Sequence, residues 1–193
     1  MSKQRLNYMK LAPEAVATLQ ALEHVNNTGN DFPESLRGIV RLRASQLNGC
    51  AYCMGMHAYE LRQAHEPETR IEAVAIWRES DAFTQRECAA LAWTERMTRL
   101  NGEEVSNAEY AAAREHFDET EIVDLTMVIA GINAWNRLGV AFLPEWREPG
   151  TAKAKSSEPK ASEKKEPEQR PADDRGETRD AVNDDGGKVT EEK

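Results

Sequence analysis

The large apolar residues of this chain are confined to its first 149 positions. All twelve aromatic residues and all three cysteines lie before Gly150, and beyond it only Val182 and Val189 carry an aliphatic side chain larger than alanine. A segment of that composition cannot bury enough surface to offset the entropy lost on ordering. The sequence therefore predicts one folded domain over residues 1–149, a common domain size, and a disordered mixed-charge segment over residues 150–193.

The charge of the predicted domain excludes several kinds of partner. The chain has 25 basic and 34 acidic residues, and the segment 150–193 holds 10 and 12 of them, which leaves a net charge of −7 on residues 1–149. An acidic domain without a basic cluster is a poor nucleic-acid binder. The longest strongly apolar run, residues 122–134, is shorter than the roughly 20 residues that cross a bilayer, so no membrane is expected. No secretion signal is recognisable at the start of the chain, and we expect a cytoplasmic protein.

Helix start and stop signals recur along the domain. Proline residues are placed to open helices near positions 13, 33 and 67, and the Asn48-Gly49 pair indicates a break before the next helix begins near Cys50. No run shows the two-residue alternation of a strand followed by a hairpin turn. We predict an all-α fold of about six or seven helices. Three further helix starts carry a capping signal, at Thr84 with Glu87, Ser106 with Glu109 and Asp118 with Glu121.

Two predicted helices, 84–101 and 121–138, carry apolar residues on more than one side. A domain of this size has room for about one fully buried helix, so the surplus apolar surface indicates an interface between subunits. The alternative is a monomer in which the second of these helices is central and buried on its own.

The segment most informative about function has the pattern Cys50-x2-Cys53-x3-His57 at the start of a predicted helix. Helical geometry places the three side chains within about 60° of one another, on one face. The first turn of a helix offers unpaired N–H groups and a positive dipole end, which favour a thiolate. A thiolate with a second thiol beside it can reduce a peroxide through a sulfenic acid and a disulfide, and another dithiol can then reduce that disulfide.

Two other interpretations of the pattern remain open. The three residues could bind zinc, but a structural zinc site needs four ligands, and the nearest spare candidates, His65 and Cys88, form no second close pair. Alternatively, the cysteines could be ordinary core residues beside a hydrogen-bonded histidine.

The same segment resembles a known family, the AhpD-like alkylhydroperoxidases of the carboxymuconolactone decarboxylase family. The resemblance is carried by RASQLNGCAYC at residues 43–53 with His57, and it continues through AIWRES at 75–80, ECAALAW at 87–93 and INAWNRL at 132–138. It covers about residues 6–142.

This resemblance implies an all-helical fold that assembles as a homo-oligomer, a trimer or hexamer. It also implies peroxide reduction without a metal, haem or other cofactor, with electrons from a dithiol reductant or a thioredoxin- or lipoyl-type donor protein. By position, Cys53 matches the peroxidatic cysteine, Cys50 the resolving cysteine and His57 the histidine that assists proton transfer. A thioredoxin analogy would instead make Cys50 the nucleophile, and the spacing alone does not decide between the two.

One family position is changed in this chain. The relay glutamate of the family lies twelve residues before the first cysteine, and that position is Gly38. Glu34, Gln46 and Glu60 are candidates to reach the same space, although each also fits a solvated helix position. A glutamate introduced at position 38 is expected to raise turnover without loss of stability if the space beside it is free.

The sequence leaves two further functions open beside peroxide reduction. The protein could be a non-catalytic oligomer whose cysteine pair only changes redox state. It could also be a lactone-decarboxylase-type enzyme, although the lactone decarboxylases of this family do not depend on such a pair.

Overall fold

The computed structural model describes residues 4–150, and this part of the chain contains eight α-helices and no strand. The predicted all-α class is confirmed. The first helix, α1, is a single short turn that the sequence did not predict. The predicted disordered segment, apart from Gly150, lies outside the described residues. The helices are α1 (Tyr8–Leu11), α2 (Pro13–Thr28), α3 (Glu34–Asn48), α4 (Ala51–Gln63), α5 (Glu68–Ala73), α6 (Gln85–Thr98), α7 (Asn107–Arg114) and α8 (Glu119–Phe142), with a 3₁₀ segment at Val74–Glu79.

The helix boundaries follow the local signals in the sequence. Capping boxes are present at Thr84, Ser106 and Asp118, where each side chain accepts a hydrogen bond from the third backbone N–H of its helix. The break after α3 falls at Gly49, and α4 begins directly after Cys50. The chain therefore turns sharply just before the two cysteines, so that they lie at the beginning of a helix.

Helix α3 is the centre of the domain and packs against α4, α6 and α8. Its buried face includes Leu36, Ile39 and Val40, which join aromatic and aliphatic residues of the other helices in one core cluster. Burial of these side chains is the main stabilising contribution, at about 25 cal/mol per Å² of apolar surface. The packing fixes α4 against both α3 and α8 and so positions the cysteine pair.

Helix α8 is buried along one side and exposed along the other. Ile122, Leu125 and Ile129 are buried, whereas Val123 and Met127 are exposed in the single chain. These exposed side chains agree with the sequence prediction that this helix carries more apolar residues than one domain can bury. The trimer or hexamer stays a prediction.

Both ends of the described region close over α4 and α8. The backbone N–H of Arg5 donates to the carbonyl of Phe142 over 2.9 Å, and the ring of Tyr8 packs on that of Phe142. Beyond α8, Trp146 returns to α4 and packs against Tyr52 and Tyr59. The N-terminal end of the described region thus packs on the end of α8, and Trp146 helps to cover the helix that carries the cysteines.

A buried network of amides joins the end of α3 to α8. The Asn48 amide nitrogen donates to the side-chain oxygens of Asn133 and Asn136, over 2.9 Å in both cases. Asn136 in turn donates to the Ser45 hydroxyl over 3.1 Å. Asn133 and Asn136 lie in a very apolar helix, where buried amides need partners, and these bonds supply them. Arg137 of the same helix is exposed and donates to the carbonyl and side-chain oxygens of Asn133.

We expect Asn136→Leu to lower the free energy of unfolding by about 1–3 kcal/mol, because it removes two hydrogen bonds and places an apolar side chain against the polar groups of Asn48 and Ser45. Denaturant unfolding of the purified protein measures the change. The exposed residue Asn107 provides a matched control, since Asn107→Leu should change stability by no more than about 0.5 kcal/mol. Equal losses in both variants would contradict a stabilising role for the network.

Candidate active site

The structure places Cys50, Cys53 and His57 on adjacent turns of one helix end, as the spacing predicts. Cys50 is the N-cap residue of α4, and Cys53 and His57 follow in its first two turns. The two cysteines form a disulfide with a Cα–Cα distance of 5.3 Å, which lies in the usual range. Both are nearly inaccessible, with 1% and 2% of their surface exposed.

Cys50 has a second role as the cap of its helix. Its sulfur accepts a hydrogen bond from the Cys53 backbone N–H over 3.3 Å. This N–H is among those that have no partner within the helix. The positive end of the helix dipole therefore acts directly on the cysteine pair, and in the reduced protein it favours a thiolate.

Helix α8 forms the wall behind the disulfide. Ile132 packs against the pair in a small cluster of its own with Ala44, separate from the main core. At Gly139 the two helices come so close that a Cβ atom would overlap the Cys50 sulfur and lie 3.3 Å from the Cys53 sulfur. A residue without a side chain is therefore required at this contact.

The His57 side chain is buried and has one hydrogen-bond partner. Its Nδ1 lies 2.7 Å from a carboxylate oxygen of Glu60, one turn further along α4. Its Nε2 is buried and has no partner among the described residues. With Nδ1–H donating to the carboxylate, Nε2 carries the free lone pair and can accept a proton.

The Glu60 carboxyl is held in its charged form. Burial alone would raise the pKa of Glu60, but the hydrogen bond from His57, with the charges of His57 and Arg41, outweighs burial and lowers that pKa below its usual value. A carboxylate partner orients a histidine ring and stabilises its protonated form. Of the three residues that the sequence offered as replacements for the family glutamate, Glu60 is thus the one that contacts His57.

The condition attached to the expectation for position 38 is not met, because the space beside Gly38 is filled. A Cβ there would lie 2.5 Å from a terminal methyl group of Leu61, where α3 crosses α4. A glutamate could enter only if Leu61 moved, so the substitution would cost stability instead of improving the helix. Of the other two candidates, Gln46 accepts a hydrogen bond from Arg43 over 3.2 Å, and Glu34 lies in the wall of the cavity described next.

A cavity of about 590 Å³ adjoins the cysteine pair. His57 and Gly139 both line it, so it reaches the immediate neighbours of the disulfide. One part of its wall is apolar and aromatic, with Tyr52 and Trp135, and another part carries charged groups. Its size and mixed lining are typical of a site for a small organic molecule.

The charged part of this cavity is organised around Arg41. The guanidinium pairs with Glu23 over 2.6 Å and donates to Asn27 over 2.7 Å, both on α2. Burial lowers the pKa of Arg41, and the nearby carboxylates of Glu23 and Glu60 oppose that effect. Arg41 has no local signal in the sequence, because its partners lie on another helix and no local spacing links them.

A second cavity lies elsewhere in the domain. It measures about 750 Å³, is lined by Cys88, Trp93 and His116 among others, and includes none of the three candidate residues. Cys88 is a free thiol whose pKa is raised by burial and by the charge of Glu87, which makes it a poor nucleophile. We therefore place the candidate site at the cavity beside the cysteine pair.

The described residues offer no support for the zinc interpretation. In that part of the chain, no group of three or more His, Cys, Asp or Glu side chains is arranged to hold a metal ion.

None of the helices between residues 4 and 150 is both long enough and apolar enough to cross a membrane.

Fold and site together define an all-helical protein with a Cys-x2-Cys pair at the N-terminus of a helix. The model of the carboxymuconolactone decarboxylase family matches residues 13–96. An uncharacterised Bacillus subtilis protein, YdfG, is 36% identical over 139 residues, which cover 72% of this chain and 94% of that protein. The chain therefore belongs to the carboxymuconolactone decarboxylase family, and its similarity is to the AhpD-like members.

Solved structures agree with this assignment. A protein of unknown function from Agrobacterium tumefaciens, provisionally named an antioxidant-defence protein AhpD, is 35% identical and superposes with a TM-score of 0.72, covering 76% of this chain and 99% of that one. The debrominase Bmp8 is 18% identical, with a TM-score of 0.64 over 72% of this chain and 74% of its own. At that identity the likeness shows the fold alone.

We expect Gly139→Ala to destabilise the protein by about 1–3 kcal/mol, because the added methyl group overlaps the Cys50 sulfur. This loss would run against helix propensity, which favours alanine over glycine by about 1 kcal/mol. Denaturant unfolding of the oxidised protein measures the change. In a Cys50→Ala background the same substitution should cost clearly less, and an equal cost in both backgrounds would rule out the overlap as the cause.

Proposed function

We propose that the protein reduces hydroperoxides with thiol chemistry, using Cys53 as the peroxidatic cysteine, Cys50 as the resolving cysteine and His57 for proton transfer. The observation that carries the proposal is the placement of two bonded sulfurs at a helix N-terminus, with the histidine one turn further on the same helix. The AhpD-like family membership supports the same chemistry.

In the first step, the Cys53 thiol gives its proton to His57 and the thiolate attacks the terminal oxygen of the hydroperoxide. A sulfur–oxygen bond forms as the oxygen–oxygen bond breaks. The departing alkoxide takes the proton from His57 and leaves as an alcohol, while Cys53 becomes a sulfenic acid. Cys53 is assigned as the nucleophile because His57 follows it by four residues, which is adjacent on a helix, whereas Cys50 is seven residues away.

In the second step, the Cys50 thiolate attacks the Cys53 sulfur. The disulfide forms, and the hydroxide that leaves is protonated to water. An external dithiol then reduces the disulfide by two exchange reactions and is itself oxidised to a disulfide. One hydroperoxide and one dithiol thus yield one alcohol, one water and one oxidised donor.

The cavity beside His57 suggests which molecules reach the pair. Its volume of about 590 Å³ exceeds what hydrogen peroxide needs, so we propose organic hydroperoxides as substrates. The electron donor is a dithiol reductant or a thioredoxin- or lipoyl-type protein. Because both sulfurs are buried, the donor thiol has to approach through an opening such as this cavity.

We also propose that the protein works as a trimer or hexamer in the reducing cytoplasm. The exposed apolar residues Val123, Met127 and Val140 of α8 support an interface between copies. A cytoplasmic location would supply the dithiol donor that each cycle requires.

We expect Cys53→Ser to abolish hydroperoxide consumption, measured with cumene hydroperoxide and dihydrolipoamide or thioredoxin as donor. Cys50→Ser should instead arrest the reaction after the first step, leaving a sulfenic acid on Cys53 that dimedone labels and mass spectrometry locates. Cys88→Ser serves as the matched control and should keep full turnover, since that thiol lies at the other cavity.

Two outcomes would overturn this assignment. Full turnover by Cys53→Ser would show that Cys53 is not the nucleophile, and a dimedone adduct on Cys50 in that variant would transfer the role to Cys50. A wild-type protein that forms and breaks the disulfide reversibly, but consumes no hydroperoxide with any donor, would favour the redox-responsive oligomer instead.

A further inference from the structure

We propose that Glu60 is the positioning residue of the redox site, so that Cys53, His57 and Glu60 form a thiol–imidazole–carboxylate relay along one helix. The proposal deepens the proposed function and rests on it. The three residues are separated by four and three positions, which puts each next to the following one along a single face of α4.

The hydrogen bond between His57 and Glu60 determines which ring nitrogen can act. Glu60 accepts from Nδ1 over 2.7 Å, and the His57 side chain is only 4% exposed, so the ring is held in one orientation. Nε2 is then the nitrogen without a proton in the neutral ring, and it has no partner among the described residues. A base oriented by a third group in this way is the common arrangement for activating a nucleophile.

The surroundings of Glu60 keep it charged and in contact with solvent. Burial opposes the charged carboxylate, but the His57 hydrogen bond, the charge of His57 once it is protonated and the charge of Arg41 favour it more strongly. Arg41 is itself fixed by Glu23, so its charge stays near the relay. The Glu60 side chain is 45% exposed, whereas His57 is almost fully enclosed, so Glu60 connects the buried ring to solvent.

Packing excludes a carboxylate from position 38 and leaves Glu60 as the carboxylate next to His57. Leu61 fills the space next to Gly38, where the family places its glutamate, and Leu61 directly follows Glu60 on α4. In one turn of α4, Leu61 therefore blocks the space beside Gly38, and Glu60 presents its carboxylate to His57. The relay has moved from α3 to α4.

The proton balance of the step is simple. The Cys53 S–H bond breaks and its proton binds Nε2, giving an imidazolium that the Glu60 carboxylate stabilises without becoming protonated. When the oxygen–oxygen bond of the hydroperoxide breaks, that proton passes to the alkoxide and the ring becomes neutral again. Glu60 thus contributes through His57 and does not touch the reacting oxygen.

The proposal is tested by the rate at which hydroperoxide oxidises the reduced protein in a single turnover. Glu60→Gln keeps the shape of the side chain and removes its charge, and we expect the rate to fall about 10- to 100-fold, as for other hydrogen-bond partners that orient a functional histidine. Glu68→Gln is the matched control, because it removes a carboxylate from the exposed Arg62 pair and should leave the rate unchanged. Circular dichroism and the thermal midpoint show that each variant is folded.

A double-mutant comparison separates positioning from general structural damage. If Glu60 acts through His57, Glu60→Gln should have no further effect on the rate in a His57→Ala background. In ¹⁵N-histidine spectra, His57 should carry its proton on Nδ1 in the wild-type protein and lose that preference in Glu60→Leu. The proposal would be overturned if a folded Glu60→Gln variant reacted at the wild-type rate. It would also be overturned if Glu60→Gln lowered the rate by the same factor in the His57→Ala background as in the wild-type protein.

If the proposed function fails, the relay can still be tested by a second assay. If the wild-type protein reacts with no hydroperoxide, peroxide reduction is excluded, and the relay is tested by the rate at which iodoacetamide alkylates Cys53 in the reduced protein. Slower alkylation in Glu60→Gln than in Glu68→Gln would support the relay as a means of activating the thiol. Equal alkylation rates would overturn it.

Discussion

The structure of the site depends on how closely α8 approaches the beginning of α4. At Gly139 the backbone of α8 lies directly against the disulfide, and no side chain can be accommodated there. This contact buries both sulfurs, and α3 holds the two helices in place from the other side. Burial excludes water from the cysteine pair, so charges and dipoles near it act more strongly than they would at the surface.

Because the site is buried, its polar groups need hydrogen-bond or ion-pair partners. A charged or polar group in such an environment costs free energy unless it has a partner, and most of those described here have one. His57 has Glu60, Arg41 has Glu23, and the amide of Asn136 has Ser45. His57 Nε2 is an exception, and an unpaired acceptor one helical turn from the cysteine pair is available for chemistry although it contributes nothing to stability.

Local signals predicted much of this arrangement, and long-range contacts account for the rest. The helical class, the capping boxes and the shared face of Cys50, Cys53 and His57 follow from spacings of three and four residues. The obstruction at Gly38 depends on Leu61 of another helix, which periodicity cannot reveal. Glu60 had a visible signal in its three-residue spacing from His57, but the same spacing also fits a solvated position without a partner, and only the observed contact with the buried His57 ring distinguishes the two.

The sulfur of Cys50 both caps α4 and forms the disulfide, and this links the start of the helix to the reduction potential of the pair. A thiolate accepts the capping hydrogen bond and interacts with the helix dipole more favourably than a neutral disulfide sulfur does. Each ~1.4 kcal/mol of preference for the reduced form raises the potential by about 30 mV. The cap therefore favours the reduced form and makes the pair more oxidising than the same pair would be without this contact.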